Sequence, residues 1–217
     1  MNMQPKVLLA VASVVFTSIS QPALADDCTA RIAAMFTGGP LDAYQRPPHR
    51  HEKQVADAAG TVSTTFQSIV ETPLRTISGI KDGAMTLAID DDTWTGPGPD
   101  GPWTPSENNM PKNRKPWHQA MQAQQAKNLT ATECVDGVSL DGNTWNMVRY
   151  SSKTDPNPDM NNAFFGSTDT VYIDPETLQV MLLEQTGFFS SWLPEPGTDT
   201  HTTRFTYDPA IRVIAPD

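Results

Sequence analysis

Three turn sequences constrain the fold of this chain more than any other feature. Each turn separates two segments in which apolar and polar residues alternate. The turns are Asp82-Gly83, Asp141-Gly142 and Asp174-Pro175-Glu176-Thr177. An Asp-Gly pair between alternating segments is typical of a β-hairpin. No segment within these pairs is long enough for the crossover that parallel strands need. The pattern therefore predicts a wholly antiparallel sheet.

Two segments have the 3.6-residue period of helices instead. Cys28 and Ile32 belong to an apolar stripe that an acidic residue at 26–27 can cap and that ends at Gly38. Residues 116–129 are rich in Gln and Ala and predict a second helix with a narrow apolar face. The 19 Pro and 13 Gly of the 217 residues favour short strands and turns elsewhere, so a helical bundle is excluded.

The remaining segments are assigned as strands or loops. Apolar and polar residues alternate on both sides of Pro73 in residues 61–80, which predicts either one bent strand or two. Residues 202–207 predict a final strand. Residues 96–102 contain three Gly and three Pro, which favour neither a helix nor a ladder. We expect a surface loop there, flanked by Trp94 and Trp103.

The N-terminal residues indicate export. Residues 1–25 contain Lys6, an apolar run and the sequence Ala23-Leu24-Ala25, which together predict a secretory signal peptide cleaved after Ala25. The apolar run at 7–19 is shorter than the roughly 20 residues that a membrane-spanning helix needs. We therefore predict a periplasmic protein with one domain over residues 26–217 that does not span the membrane.

Charge and cysteine content limit the partners and the compartment. The formal net charge of −10 disfavours nucleic acid, because a negative surface is repelled by phosphates. Cys28 and Cys134 are the two cysteines, and an exported chain with an even number of cysteines usually joins them. The alternative is two buried free thiols. A disulfide would close a loop of about a hundred residues and would be structural.

The order of these sequence segments resembles the order found in a known protein family. An N-terminal helix is followed by Glu71-Thr72-Pro73-Leu74-Arg75, then by a hairpin and a second helix, then by residues 138–145 and 171–177, and finally by residues 205–211. This order is similar to exported lipoprotein-carrier proteins with the LolA/LolB-like fold. The resemblance implies an α+β fold, in which one strongly curved antiparallel sheet forms a half-barrel packed against two short helices. It also implies a face that holds acyl chains, without identifying the ligand.

Two polar clusters have the spacing of metal ligands. His49 and His51 would face the same way on an extended segment and could bind a divalent ion with Glu52, His118 or His201. Because zinc sites normally need three or four spaced ligands, we interpret this segment as a solvated polar loop and predict no metal site.

The second cluster has the oxygen-ligand spacing of a calcium loop. These residues are Asp155, Asn157, Asp159 and Asn161. The residues at the later positions of this segment do not match those that a calcium loop requires. We therefore interpret the segment as a connection between hairpins.

Motif searches favour binding over catalysis. The chain has no Gly-x-Ser-x-Gly elbow around Ser190, no His-Glu-x-x-His and no phosphate-binding glycine loop, and nothing indicates a cofactor. We therefore predict a protein that is not an enzyme. Most aromatic residues are expected in the core, but five lie in turn-rich surroundings and are predicted to border a ligand site. These five are Trp94, Trp103, Phe188, Phe189 and Trp192.

Two functions from different classes follow. The leading hypothesis is a non-catalytic carrier for a lipid or other hydrophobic small molecule. The alternative is an envelope protein-interaction module or inhibitor that uses the sheet as a docking surface. An apolar cavity would favour the first, and a filled core with an exposed apolar patch would favour the second.

Overall fold

A computed structural model describes residues 23–108, 112 and 114–216. Most of the predicted signal peptide, residues 1–22, lies outside the described residues. The described part of the chain contains two helices and eleven strands. The helices are α1 (Ala23–Met35) and α2 (Arg114–Lys127), and the strands are β1 (His49–Ala56), β2 (Val62–Thr72), β3 (Arg75–Ile80), β4 (Met85–Ile89), β5 (Asp92–Gly96), β6 (Thr104–Ser106), β7 (Thr130–Leu140), β8 (Asn143–Lys153), β9 (Phe165–Ile173), β10 (Val180–Ser190) and β11 (Thr200–Tyr207).

All eleven strands form one sheet in the order β6-β5-β4-β3-β2-β1-β11-β10-β9-β8-β7. Every pairing is antiparallel. The edge strands β6 and β7 do not pair with each other, so the sheet is open and is not a closed barrel. The predicted α+β class, with one antiparallel sheet and two short helices, is confirmed.

The predicted hairpins are confirmed at all three turns. Residues 81–84 join β3 to β4, residues 141–142 join β7 to β8, and residues 174–179 join β9 to β10. Asp141 has φ 52° and Gly142 has φ 77°, as the favoured two-residue turn requires at both central positions. Turn chemistry in the sequence therefore specifies these three reversals.

The sequence around Pro73 forms two strands, and they reverse direction rather than continue. Thr72 pairs with Arg75, so Pro73 and Leu74 occupy a tight hairpin turn between β2 and β3. Proline lacks the donor that a central ladder needs but fits a turn, where its fixed φ is favourable. Of the two alternatives, one bent strand or two strands, the structure shows two strands, which form a fourth hairpin.

The expectation of a solvated loop around His49 is wrong. Residues 49–56 form β1, which lies between β2 and β11 in the middle of the sheet. His49 is 4% exposed. Apolar and polar residues do not alternate in this segment. It pairs with a neighbouring strand on each side, so the sheet determines its conformation.

The sheet has two faces, and the register assigns residues to them because directly paired residues point the same way. His51 pairs with Phe205, and both lie on what we call the helix face, which carries α1 and α2. Ile77 pairs with Ile69 and with Leu87, and these lie on the opposite face. We call this the tail face, because Val213 of the C-terminal segment at residues 208–216 packs there.

Helix α1 covers the β7–β9 part of the helix face. Ile32 and Phe36 pack against Val148 and Tyr150 in the larger core cluster. The helix begins at Ala23, so Asp26 and Asp27 lie inside it and neither is its cap. A disulfide joins Cys28 of α1 to Cys134 of β7. The predicted disulfide is confirmed, and it fixes the helix to the edge strand of the sheet.

The tail face has a smaller core of its own. Leu87 is fully buried among Ile69, Ile77 and Ile89, with Val213 of the C-terminal segment packed against them.

Two charged side chains hold the C-terminal segment by its backbone. The Val213 N–H donates to Glu71 Oε2 at 2.8 Å, and Arg75 Nη2 donates to the Val213 carbonyl at 2.7 Å. We call this Glu71–Arg75 pair the tail clamp.

Neither described helix has both the length and the apolar character that crossing a bilayer would require.

Candidate functional site

A polar network is buried in the helix face between β8 and β10. The Asp169 carboxylate accepts hydrogen bonds from Ser167 Oγ at 2.6 Å and from Gln185 Nε2 at 3.2 Å, and it also binds the Tyr150 hydroxyl. Burial raises the pKa of Asp169, and the three hydrogen bonds oppose that rise. Burial also raises the pKa of Tyr150 well above its usual value. The network satisfies its own polar groups, as a buried network must.

His49 and His51 lie side by side on the same face. Their rings stack with centroids 5.5 Å apart, and the His49 Nδ1 atom binds the Pro47 carbonyl at 2.8 Å. Burial, followed by the charges of His49, Arg46 and Lys53, lowers the pKa of His51 to about 4. His51 is therefore neutral at physiological pH, and burial lowers the pKa of His49 as well. Within residues 23–108, 112 and 114–216, no three His, Cys, Asp or Glu side chains come together to hold a metal ion.

Helix α2 packs against α1 and β8 on the helix face, where Ala126 is the residue of the helix that packs against the core. Its one buried residue is Arg114, whose guanidinium donates to the Asp90 carbonyl. Further along the helix, His118 Nδ1 lies 2.9 Å from the Tyr44 hydroxyl, and Gln122 Nε2 donates to the Leu41 carbonyl at 3.3 Å. Gln124 Oε1 accepts from the Asp155 N–H at 3.1 Å. Polar contacts to loops thus position this helix.

Two spaces lie against the central residues of α2, besides larger open ones at its two ends. The first, which we call the α2 groove, has a volume of about 160 Å³ between the helix and residues 154–165. Its apolar lining includes Trp117, Met121 and Phe165. The second, the inner cavity, has a volume of about 140 Å³ and is lined by Phe36, Leu41, Val171, Val180 and Leu183 together with Arg46, Gln122, Gln125, Tyr150 and Asp169. Both are smaller than the roughly 300 Å³ at which ligand pockets usually begin.

An aromatic cluster stands at one end of the α2 groove. Phe165 contacts Trp192 edge to face at 5.2 Å and Phe188 at 6.4 Å, and Phe188 stacks on His201 at 6.2 Å. Trp192 is 68% exposed. We call these four residues the rim cluster. The structure therefore brings together two of the five aromatic residues predicted to border a ligand site.

Phe189 lines a larger open space at the C-terminal end of α2, and Trp94 and Trp103 lie elsewhere. Phe189 packs over Gly166, where an added Cβ would lie 2.2 Å from the ring. Trp94 and Trp103 pack against the core of the tail face, with the Trp103 ring lying on Gly96. The loop at residues 97–103 joins β5 to β6 at the edge of the sheet, away from α2.

Sequence reasoning did not find Arg46, Trp117 or Met121, which line these spaces. Arg46 follows no periodic pattern, because it lies in a loop just before β1. Trp117 and Met121 lie on the narrow apolar face that is predicted for the helix at residues 116–129, but that face was not assigned to a binding site. Their i, i+4 spacing was the available signal, but such a stripe indicates a core contact as readily as a groove.

No protein-family model and no curated protein sequence matches this chain. The fold is similar to several solved structures. The lipoprotein LppX of Mycobacterium tuberculosis is 11% identical, with 87% of this chain and 99% of that chain covered at a TM-score of 0.48. LprF of Mycobacterium bovis is 7% identical, with 86% and 97% covered at a TM-score of 0.46.

A third similar structure belongs to the family that the sequence resembles. This LolA superfamily protein of Nitrosomonas europaea is 8% identical, with 84% of this chain and 91% of that chain covered at a TM-score of 0.28. Similarities as remote as these three carry no argument about ligand or activity, so the function must be inferred from the geometry of the chain itself.

Proposed function

We propose that this chain is an exported, non-catalytic binding protein that holds a lipid or another hydrophobic molecule between α2 and the helix face. The observation that carries the proposal is the mismatch between α2 and the surface beneath it. A largely polar helix lies over the helix face and leaves one apolar-lined groove and one cavity that is lined by both apolar and polar side chains.

The contacts of α2 favour its displacement. Each neutral hydrogen bond to a loop contributes about 0.5–1.5 kcal/mol net, because water replaces the bond when the helix leaves. Gln122 and Gln124 are half-buried and can be solvated at little cost. An apolar ligand that enters beneath α2 would gain about 25 cal/mol for each Å² of apolar surface that it buries. Binding can therefore offset the displacement of the helix.

Displacement would also join the two spaces. The α2 groove and the inner cavity are lined by different sides of the same part of the helix, with Met121 at the first and Gln122 at the second. Moving the helix outward would create one continuous site over Phe36, Leu183 and Phe165. Such a site could hold an acyl chain that neither space holds alone.

Two further observations support the remaining parts of the proposal. The Cys28–Cys134 disulfide favours an oxidising compartment, in keeping with a signal peptide at residues 1–25.

Ser190 is fully buried, and its Oγ accepts a hydrogen bond from the Leu193 N–H at 3.2 Å. This serine therefore has a structural environment rather than that of a nucleophile.

One observation favours protein docking as a second candidate. Trp192 and Leu193 are 68% and 49% exposed, and Met160 is exposed nearby on the groove. Exposed apolar groups at the end of a groove are typical of an interaction surface. A protein partner would use this surface without entering the space beneath α2.

Titration calorimetry with decanol, an uncharged single-chain probe, tests the main proposal. The wild type is expected to bind, and Met121→Trp, which fills the α2 groove, should weaken binding by about tenfold, or about 1.4 kcal/mol. Ala123→Trp is the matched control because Ala123 lies on the exposed side of the same helix. Absence of decanol binding to the wild type, or equal binding by both variants, would contradict a site beneath α2.

A further inference from the structure

Arg46 stands between two spaces on the helix-face side of the molecule. It lines the inner cavity, and it also lines a pocket of about 270 Å³ between residues 38–47 and the β9–β10 turn. Val180 is shared by the same two spaces. The side chain therefore sits where a molecule that occupies the inner cavity would reach the outside.

The guanidinium of Arg46 has few partners for its five donors. Its Nε donates to the Pro40 carbonyl at 3.3 Å, and this is the only hydrogen bond that its side chain makes to the part of the chain that the structure describes. The five ion pairs among the described residues do not include Arg46. Both terminal nitrogens are thus without a protein acceptor in that part of the chain.

The carboxylates near Arg46 are committed elsewhere. Asp42 accepts from the Gly38 N–H at 3.0 Å through one oxygen and from the Tyr44 N–H at 2.9 Å through the other. Asp169 is bound by Ser167, Gln185 and Tyr150. Neither carboxylate neutralises the guanidinium by direct contact.

Aromatic rings form the remaining surroundings. The Arg46 guanidinium carbon lies 5.4 Å from the centre of the Phe205 ring, and burial lowers the pKa of the nearby His49 ring. Burial lowers the pKa of Arg46, although the charge remains. Arg46 is half-buried, and a partly desolvated cation without a counter-ion in direct contact attracts an anion more strongly than a cation in water does.

We propose that Arg46 binds the anionic headgroup, a carboxylate or a phosphate, of a single-chain amphipathic ligand. The headgroup lies in the 270 Å³ pocket, where water can reach it, and the apolar chain extends inward past Val180 toward Phe36, Leu41 and Leu183. The planar guanidinium suits both groups because it can donate two parallel hydrogen bonds to two oxygens. This inference rests on the proposed function and names the chemistry of its ligand.

The test compares decanoate and decyl phosphate with decanol, by titration calorimetry at neutral pH, in the wild type and in two variants. Arg46→Met keeps a long side chain against Phe205 and removes the charge. Arg50→Met removes the same charge from an exposed position on β1. Arg46→Met should weaken decanoate or decyl phosphate by about 10- to 100-fold, as expected for a lost hydrogen bond to a charged group. Decanol binding should change less than twofold, and Arg50→Met should change neither.

The outcomes separate the two proposals. If Arg46→Met weakens decanol as much as the anionic probes, Arg46 only supports the packing of the site and the headgroup assignment is wrong. If the wild type binds decanol but none of the anionic probes more tightly, the assignment is also wrong while the proposed function stands. If the wild type binds none of these chain-bearing probes, the proposed function fails and the headgroup site fails with it.

Inorganic phosphate alone distinguishes a lipid headgroup from a free anion. The proposal expects no change in the melting temperature of the wild type at millimolar phosphate, because the chain supplies most of the binding free energy. An increase in the melting temperature of the wild type that Arg46→Met abolishes would assign the site to a free anion and overturn the lipid headgroup.

Discussion

The two faces of the sheet are buried in different ways. On the tail face, Leu87 is fully buried in a core of aliphatic side chains and Trp rings, and one short C-terminal segment completes it. On the helix face, a polar network, two histidines and an arginine that forms no ion pair with the described residues lie among the apolar residues, with open spaces beside α2. Dense apolar packing maximises stability, whereas polar groups and voids cost stability.

This contrast teaches where function belongs in the molecule. Polar groups and voids that stand beside the larger core of the helix face make that part of the face the better candidate for binding, because binding sites are commonly less stable than the cores that support them. Changes in either core, and removal of the disulfide, should affect unfolding. Changes among the polar groups of the helix face should affect binding or pH response.

Removal of the disulfide should have the largest effect. In Cys28→Ala/Cys134→Ala the unfolded chain regains the entropy of a loop with a sequence separation of 106, which should cost about 4–5 kcal/mol. Denaturant melts of the wild type with and without reductant provide the comparison. A loss below about 1 kcal/mol would indicate that packing of Ile32 and Phe36 alone holds α1 on the sheet.

Trp94→Ala should cost about 3 kcal/mol, at the lower end of the range for buried aromatic residues, because Trp94 is partly exposed. Decanol binding by the folded variant should be unchanged, since Trp94 packs on the tail face. Trp192→Ala is the matched control, and its loss of stability should be below about 0.5 kcal/mol because the ring is largely exposed. If the fully folded Trp94→Ala variant binds decanol more weakly than the wild type, Trp94 belongs to the ligand site.

Acid should destabilise the helix face through His51. The folded pKa of about 4 lies below the unfolded value of 6.5, so the unfolded chain binds more protons between these two pH values. This histidine should therefore contribute nothing above pH 6.5 and should cost up to about 3 kcal/mol as the pH falls to 4. The comparison is with His51→Phe, which does not titrate and can pack beside Phe205. Parallel pH profiles of unfolding free energy for the two proteins would contradict the assignment.

Glu71→Gln should have the smallest effect, about 1 kcal/mol, because the tail clamp loses the charge that the Val213 N–H and Arg75 share. Glu52→Gln provides the control. Glu52 pairs with Lys81 at 2.7 Å on an exposed surface, where a single ion pair is worth below about 0.5 kcal/mol. Equal effects of the two changes on chemical unfolding would show that the clamp does not hold the C-terminal segment.

Local signals in the sequence predicted the hairpins at residues 82, 141 and 174 and the two helices, because turn and periodicity patterns depend on neighbouring residues. Strand β1 was missed because His49, His51 and Lys53 replace the usual apolar residues on its inner side. Its conformation depends on β2 and β11, of which β11 is distant in sequence. The Cys28–Cys134 pairing could be predicted because only one pairing is possible.

The candidate site was less predictable. Phe188 and Trp192 were predicted by their turn-rich surroundings, and the same reasoning selected Trp94 and Trp103, which lie on the other face. The sequence pattern gave the alternation within each strand but not which face of β2–β5 would be covered. Arg46 became visible only when the loop before β1, the β9–β10 turn and α2 met in space.

The order of the strands also bears on how the chain folds. Every pairing within β1–β6 and within β7–β11 joins strands that are consecutive in sequence, and the single exception is the ladder between β1 and β11. That ladder pairs His49 with Tyr207 and closes the longest loop in the sheet. The entropy of loop closure must be overcome before such a contact becomes favourable, which makes distant pairings slow. We therefore expect two meanders to form early and the rate of folding to depend on the meeting of the first and last strands.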